Sequence, residues 1–589
     1  MQSQSLKFEK IKSVSNNTWQ YNPPNDALIN QISNDFDIDK LTAVILMNRG
    51  IKVAELSNFF DHSLKNNIPD PAKINDMQKA IRRICKAIVN NEKIGIIGDY
   101  DVDGLVSASI LFAYLKPYCD VSVKIPDRFK DGYGPNENFV QDFRKNNINL
   151  IITVDCGSNS ADLMSKENGV DFIIFDHHQT DHCGDIGFAN VNPNRTDDES
   201  GLNYLAAASV VFLAIISLNR ELKNLNLLEE RAHKNDLLKF IPLVAFATIA
   251  DVVPLWKLNR VFVKQGLKLY GKYKNYGINS IIRQGSSNSG ISLQDVGYMI
   301  SPVINAGGRM GYSQLGFDLL TTDRIEVADS IASKLKSLNE SRKSMEQYCA
   351  DLAIKVYENN FSNDPIIALE LDELHIGVLG LIASRLTNRY QKTSCVMTSL
   401  TDENEILIGS ARSWGDVNIG ELIKGALEND ILLSGGGHKM AAGFKLYRKN
   451  LNLLRDFLIS AKKDTRKVEK KLITVDGLLM ASAVTLELVD RLVDIGPYGN
   501  SFEEPLFIFP GHRILELTAL KNQHLKLKIS DNSGFRVDAI SFRSFDLPLG
   551  RFLRENQNKK IDFLGRLTIN MWNNRATPQL IIDDAAITY

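Results

Sequence analysis

The stretch Ile94-Gly95-Ile96-Ile97-Gly98-Asp99-Tyr100-Asp101-Val102-Asp103-Gly104 decides the reading of this chain. Its apolar start reads as a buried strand. Three carboxylates then alternate directly at the strand tip. Acids this close repel one another by roughly 1–4 kcal/mol per pair at about 4 Å, depending on the local dielectric. A sequence tolerates such a run when something cationic sits among the acids, and a divalent metal is the usual candidate.

The surrounding pattern is alternating. Asp76 to Asn90 has apolar residues at helical spacing: Met77, Ala80, Ile81, Ile84, Ala87 and Ile88. Candidate strands follow at Ile94–Ile97, Val121–Ile125, Leu150–Val154 and Phe172–Phe175, separated by helix-length stretches such as Leu105–Leu115 and Asn136–Arg144. Strand and helix in alternation predict an α/β fold with a parallel sheet. In such sheets, ligands bind beyond the carboxyl ends of the strands. Asp155 comes directly after Ile151-Ile152-Thr153-Val154, and Asp176-His177-His178 directly after Phe172-Ile173-Ile174-Phe175. A fourth acid, Asp251, ends the apolar helix predicted over Leu237–Ile249. A lone Asp after a strand is usually a cap or turn residue, and a His-His pair is usually surface or core. The first three sets sit at such strand ends and can converge on one place, and jointly the four sets weaken that bland reading. Carboxylates with one or two imidazoles and no cysteine suit manganese or magnesium better than zinc. The number of acids allows two ions about 3.5–4 Å apart, which suits phosphodiester hydrolysis by a metal-activated water.

The rest of the chain divides by pattern. Its 589 residues exceed what one core can organise, so several domains are expected. Residues 1–75 read as a helical preface, and 76–320 as the first α/β domain. An amphipathic stretch from Arg324 to Tyr357 carries Ala328, Ile331, Leu335, Leu338, Met345, Leu352 and Val356 on one stripe. Asp323 and Glu326 offer it an N-cap and a capping-box partner. The spacing fits one helix, or two with a break near Asn339-Glu340-Ser341. This connecting segment spans 321–360, a second α/β domain spans 361–462, and the basic run Lys462 to Lys471 reads as an exposed linker. Residues 468–589 turn β-rich: His524–Ser530 alternates apolar and polar residues, and Phe535–Phe542, Ile561–Leu567 and Leu580–Ile582 are further strands. Five or so strands predict a small barrel.

Composition narrows the class. Hydrophobic residues make up 44% and charged residues 24%, which reads as a soluble globular chain. The formal net charge of -1 gives no global basic signal, so any nucleic-acid contact must come from local patches. Six cysteines without a C-x-x-C pair fit reduced thiols better than disulfides or a zinc site. The first residues carry no apolar signal core and no long apolar run occurs, so the expected location is the cytoplasm, with no membrane partner.

Together Asp101-x-Asp103, Asp155, Asp176-His177-His178 and Asp251 resemble the motifs of the DHH phosphoesterase superfamily. The extended run Gly98 to Gly104, with Phe129-Lys130-Asp131-Gly132-Tyr133-Gly134, resembles its single-strand-specific 5′→3′ DNA exonucleases. Asn305-Ala306-Gly307-Gly308-Arg309-Met310, Gly409-Ser410-Ala411-Arg412-Ser413 and Gly435-Gly436-Gly437-His438 with Ala441-Ala442-Gly443 agree with it. The resemblance runs from about residue 45 to the end. It implies a DHH catalytic domain, a DHH-associated second domain and a C-terminal oligonucleotide-binding barrel of OB type. It implies two Mn2+ or Mg2+ ions: one held by Asp101 and Asp155, the other by Asp103, Asp155, His177 and Asp251. Asp99 would support the first ion or its water, Asp176 would orient an imidazole, and His178 would face the scissile phosphate. Ser410, Arg412, Gly436 and Gly437 would line a 5′-phosphate pocket, with Arg128, Arg309 and His438 as further contacts. In the barrel, Lys521, His524, Lys526, Lys528, Arg536, Arg543 and Trp572 are candidate strand contacts, although alternating lysines are often only a solvated face.

The implied activity is release of 5′-mononucleotides from single-stranded DNA in recombination and repair, alongside a helicase and a single-strand-binding protein. Two other readings keep the motifs. One is a phosphodiesterase for short oligonucleotides or cyclic dinucleotides, which the long chain speaks against. The other is an inactive scaffold in a replication complex, which the full set of acids speaks against.

Overall fold

Register in the first parallel sheet places the acids. In a computed structural model, strands β1 (Lys93–Gly98), β2 (Val121–Lys124), β3 (Ile148–Val154), β4 (Asp171–Phe175) and β5 (Ala189–Val191) lie in the order β2-β1-β3-β4-β5, all parallel. Gly98 pairs with Val154, and Val154 with Phe175. The next residues are Asp99, Asp155 and Asp176, so three acids leave three neighbouring strands at one level. Adjacent strands are only about 4.8 Å apart, which makes the crowding a consequence of sheet geometry. The structure describes residues 11–22, 24–166, 169–183, 186–227, 236–285, 291–361, 364–372, 374–399, 405–463, 472–521, 523–572 and 575–588.

The chain forms two compact units. The larger holds residues 64–253 and 261–468. Its first sheet is covered by α1 (Val102–Leu115) and α2 (Ala207–Asn224), and α3 (Ile241–Ala250) packs on both helices. Helix α1 is buried along almost its whole length because apolar and small residues occupy every face. Helix α3 ends at Asp251, its C-cap residue. Helix α4 (Ser301–Arg309) packs against α5 (Ile325–Asn360), which leads to a second, mixed sheet. That sheet contains β6 (Ile367–Glu370), β7 (Ser394–Ser399), β8 (Ile406–Arg412), β9 (Ser434–His438) and β10 (Ala441–Tyr447), in the order β9-β10-β8-β7-β6. Only β6 and β7 pair in parallel.

The long helix is one element. At the point where a break was conceivable, the buried Arg342 donates to Asn339 Oδ1 at 3.1 Å and to Glu346 at 2.7 Å, tying consecutive turns together. Its N-terminus differs from expectation: the N-cap is Arg324 with no side-chain cap bond, and not Asp323. Tertiary packing of Ala328, Leu335 and Leu338 outweighs a missing cap, which is worth about 1 kcal/mol.

The smaller unit holds residues 1–63, 254–260 and 469–589. Strands β11 (Phe507–Leu520), β12 (His524–Ser530), β13 (Arg536–Ser541), β14 (Ile561–Trp572) and β15 (Arg575–Ile587) close into a five-stranded barrel, because β14 pairs with both β15 and β11. Leu525, Leu527 and Ile529 face its core. Lys526 is exposed on the other face of β12, while Lys528 reaches Glu516 at 3.4 Å. Lys521, Arg536 and Arg543 are exposed, and His524 is half-buried. Residues 464–471 of the expected linker and the side chain of Trp572 lie outside the described residues.

The N-terminal segment read as a helical preface carries helices from Asp26 onward, but it begins with two short strands. Residues 11–12 and 18–21 are strands, and Thr18–Tyr21 runs parallel to Leu472–Val475. Trp19 is buried against Val475, Ile508, Leu564 and Ala586, and the helices over 26–48 share the barrel's core cluster. The two-strand ribbon is too short to carry a period-2 signal, and its partner lies over 450 residues away, so pattern reading had no purchase on it. Trp19→Ala should therefore destabilise the barrel unit by about 3–5 kcal/mol, seen as a lower urea midpoint. An unchanged midpoint would show that the N-terminal segment contributes nothing to that core.

Candidate metal and phosphate site

Each acid is presented by a local device. Asp101 caps α1, accepting from Asp103 N at 3.0 Å and Gly104 N at 3.1 Å. Gly104 is required beside it: a Cβ there would lie 2.6 Å from the Asp99 backbone. Asn305 of α4 accepts from Val102 N at 3.1 Å and pins the same loop from outside. Asp155 leaves β3 with φ 61°, a left-handed conformation uncommon for a residue with a side chain. Asp103 accepts from Ala207 N at 2.7 Å and Ala208 N at 2.9 Å, so the start of α2 partly neutralises it.

The predicted residues converge. His177 Nε2 lies 3.3 Å from Asp155 Oδ1, 3.5 Å from Asp251 Oδ2 and 3.8 Å from Asp103 Oδ2. Asp103, His177 and Asp251 form one possible ligand group, Asp99, Asp101 and Asp155 a second, and Asp155, His177 and His178 a third. In each, the ligand atoms lie within 4.8 Å of one another. Asp155 belongs to two of the three, as a bridging carboxylate would.

Electrostatics show what this costs. Burial first, then the neighbouring acids, pushes Asp99 and Asp155 well above the ordinary carboxylate range. For the same reasons Asp103 is pushed up to about 7 and Asp251 to about 9. Burial, then the charge of His178, lowers His177 to about 4, leaving it a neutral donor of the kind metals take. Asp99 Oδ1 and Asp155 Oδ1 are buried and receive no hydrogen bond among the described residues. Buried carboxylate oxygens without donors call for another positive partner, and this donor set fits divalent cations with a preference for oxygen.

Asp176 is different. Burial alone would raise it, but the hydrogen bond and charge of His178 outweigh burial and hold it below the usual range. His178 Nδ1 sits 2.8 Å from Asp176 Oδ1, which also accepts from the amides of His177 and His178. Burial would lower His178, yet Asp176 raises it to about 9. The contact with Asp176 therefore favours the cationic ring and fixes its orientation. Tyr133 donates to the Asp155 carbonyl at 3.0 Å and stands edge-on to the His178 ring.

Two further groupings lie in the same compact unit. Asp176, His178 and Tyr133 face Gly436, Gly437 and His438 across a cleft of about 720 Å³. A Cβ on Gly436 would meet nothing within 4 Å, so its backbone is openly approachable. The second grouping is cationic. Arg309 is lowered to about 10 by burial, then by the charges of Arg128, Arg342 and Arg412. Arg412 is lowered by burial, then by Arg128, and its guanidinium donates to Ser410 Oγ at 3.2 Å. Arg128 lies over the Tyr100 ring at 5.5 Å. Among the described residues, Arg128, Arg309 and Arg412 form no ion pair. Clustered guanidiniums that form no ion pair are suited to binding an anion.

Sequence reasoning assigned no role to Tyr133, Asn305 or His375, whose Nδ1 accepts from Gly377 N at 3.1 Å. The first two lie within quoted motifs, Gly132-Tyr133-Gly134 and Asn305-Ala306-Gly307-Gly308-Arg309. For His375, the glycines of His375-Ile376-Gly377-Val378-Leu379-Gly380 were the available signal.

Adding Mn2+ to metal-free protein should raise its melting temperature, because a cation relieves the acid repulsion. At one hundred times Kd the stabilisation is about 2.7 kcal/mol. Asp155→Asn should lose most of that shift, and an equal shift in the variant would place the cation elsewhere.

Three family models match in order: the DHH family N-terminal domain over 93–241, the DHHA1 domain over 363–464 and the RecJ OB domain over 475–584. The single-stranded-DNA-specific exonuclease RecJ of Bacillus subtilis is 30% identical over 585 residues, covering 97% of this chain and 71% of that protein. The Escherichia coli protein of that name is 28% identical, covering 93% of this chain and 96% of its own. A crystal structure of Thermus thermophilus RecJ with Mn2+ shares the fold, with TM-score 0.77 and 24% identity over 97% of this chain and 80% of that one. A manganese-bound exonuclease RecJ structure has TM-score 0.56 and 29% identity over 68% of this chain and 96% of that one. With a relative at 30% identity covered over 71% of its length and the three domain models in sequence, the chain belongs to the RecJ family.

Proposed function

We propose that this protein is a metal-dependent exonuclease that degrades single-stranded DNA from its 5′ end and releases 5′-mononucleotides. The observation that carries the reading is the pairing, within one compact unit, of a buried acid cluster with an unpaired arginine cluster. The relatives named as single-stranded-DNA-specific exonucleases support the substrate, and the structures of relatives with Mn2+ or Mg2+ support the cofactor.

Asp101 and Asp155 are the ligands we assign to one ion, and Asp103, Asp155, His177 and Asp251 to the other, with Asp99 in support. When bound, the two ions supply an activated water and neutralise charge building on the phosphate. The protein's own groups do the rest. Asp176 keeps His178 protonated and aimed, so that its free N–H donates to a phosphate oxygen. Arg128, Arg309, Ser410 and Arg412 bind the terminal 5′-phosphate, whose extra charge separates it from internal phosphates. Gly436 and Gly437 let the strand approach their backbone, with His438 beside them. Catalysis is assigned to residues 76–320, end recognition to 361–462, and holding of the strand to the barrel of 468–589.

A helicase that supplies unwound strands and a single-strand-binding protein are the companions such an activity calls for, in recombination and repair. Among the described residues no helix is long and apolar enough to cross a membrane. The six free cysteines, four of them buried, support a reducing cytoplasmic setting.

Asp155→Ala should abolish cleavage while single-strand binding persists in a gel-shift assay, and normal turnover would sink the metal assignment. A 5′-labelled strand should release its label at once as mononucleotide; early loss of a 3′ label would reverse the polarity. Arg412→Ala should reduce the preference for 5′-phosphorylated over 5′-hydroxyl strands by about tenfold or more, as loss of a charged hydrogen-bonding partner does.

A further inference from the structure

One turn threads the arginine cluster, and it contributes a side chain with no assigned role. Residues His375 to Gly380 lead through a short helical turn, Ile376–Val378, into the helix Leu379–Tyr390. Two positions of this turn touch the cluster, and a third touches a residue next to it in the chain. The carbonyl of Gly377 accepts from Arg309 Nη1 at 3.3 Å, and Gly377 packs so closely on the Arg309 carbonyl that no Cβ could fit. A Cβ on Gly380 would lie 2.7 Å from Arg412 Nη2 and 3.1 Å from Ser410 Oγ. The His375 ring stands edge-on to Phe129, the neighbour of Arg128, with centroids 5.0 Å apart.

The chemistry of His375 is set by its own turn. The Gly377 amide donates to Nδ1 at 3.1 Å, so in the neutral ring the proton must sit on Nε2. His375 is half-buried. Burial, then the charge of Arg128, lowers its pKa, which favours the neutral ring that this hydrogen bond requires.

We propose that the His375 Nε2–H is a further donor of the 5′-end pocket, contacting the terminal phosphate beside Arg128, Arg309 and Arg412 and helping to select phosphorylated ends. A neutral donor adds a directed hydrogen bond without adding charge to a crowded cationic group. The inference rests on the 5′-phosphate reading of this pocket.

The test separates the two roles of the ring. His375→Asn keeps an acceptor for the Gly377 amide, since Asn is a good N-cap, but deletes the donor on the far side. Cleavage of 5′-phosphorylated and 5′-hydroxyl single strands is compared with Mn2+ present, as the ratio of kcat/KM. His375→Asn should lower that ratio about tenfold while the melting temperature holds. His375→Gln, whose amide N–H can reach toward the Nε2 position, should keep part of the preference. An unchanged ratio in His375→Asn, with Arg412→Ala impaired, would overturn the inference and leave His375 as a cap only. An unchanged ratio in both would overturn the pocket reading itself. Equal loss in the Asn and Gln variants together with a lowered melting temperature would assign the effect to folding and also overturn it.

Discussion

Crowding of buried carboxylates is the constraint on which the rest of this structure depends. Gly98, Val154 and Phe175 sit at one level of a parallel sheet, so Asp99, Asp155 and Asp176 must emerge as neighbours. Helix α3 then delivers Asp251 to the same place. Left alone, such a set takes up protons, and burial drives Asp99, Asp103, Asp155 and Asp251 in that direction. Each surrounding device offsets part of that cost. The amides at the start of α2 hold Asp103, and the His178 cation holds Asp176. Among the described residues, two buried oxygens remain without donors, and the remaining imbalance is what makes the place a site for cations.

The opposite imbalance lies in the same unit. The charges of Arg128 and Arg412 add to burial in lowering Arg309, Arg128 does the same to Arg412, and among the described residues none of the three forms an ion pair. Helix α4 links the two extremes: Asn305 grips the acidic loop at Val102, and Arg309, one turn later, grips the turn at Gly377. Residues four apart on a helix are separated by about 6 Å along its axis. A helix fixed at both points gives little freedom to the spacing between acids and arginines. A phosphodiester chain, with charge repeating at a regular interval, is the kind of ligand that satisfies both at once.

Much of this was legible because strand tips are a local feature. An apolar run followed by an acid locates that acid at a sheet edge without any knowledge of the partner strand, which is why Asp99, Asp101, Asp103, Asp155 and Asp176 could be grouped in advance. The long helix was legible from its stripe, but its continuity was not: an Arg342–Asn339 contact decided it, and no period reports such a bond. The expected cap at Asp323 failed because packing set where the helix starts. The fifth strand of the first sheet, Ala189–Val191, passed unnoticed because three residues carry no pattern. His375 was missed for another reason: a single histidine is uninformative until the arginines it stands beside are known.

By itself the amino-acid sequence determined the chemistry on offer: which acids, imidazoles and guanidiniums exist, and that the acids end strands of a parallel sheet. Those features depend on neighbours within about ten residues, and short-range periodicity encodes them. Only the tertiary structure decided which of these groups meet. Register brought Asp155 between the other acids, α3 carried Asp251 in from a distant segment, and the turn at Gly377 and Gly380 drew Arg309 and Arg412 to one place. It also joined Trp19 to a barrel more than 450 residues downstream. Contacts of that kind are fixed by packing between segments far apart in the chain, and local pattern carries no record of them.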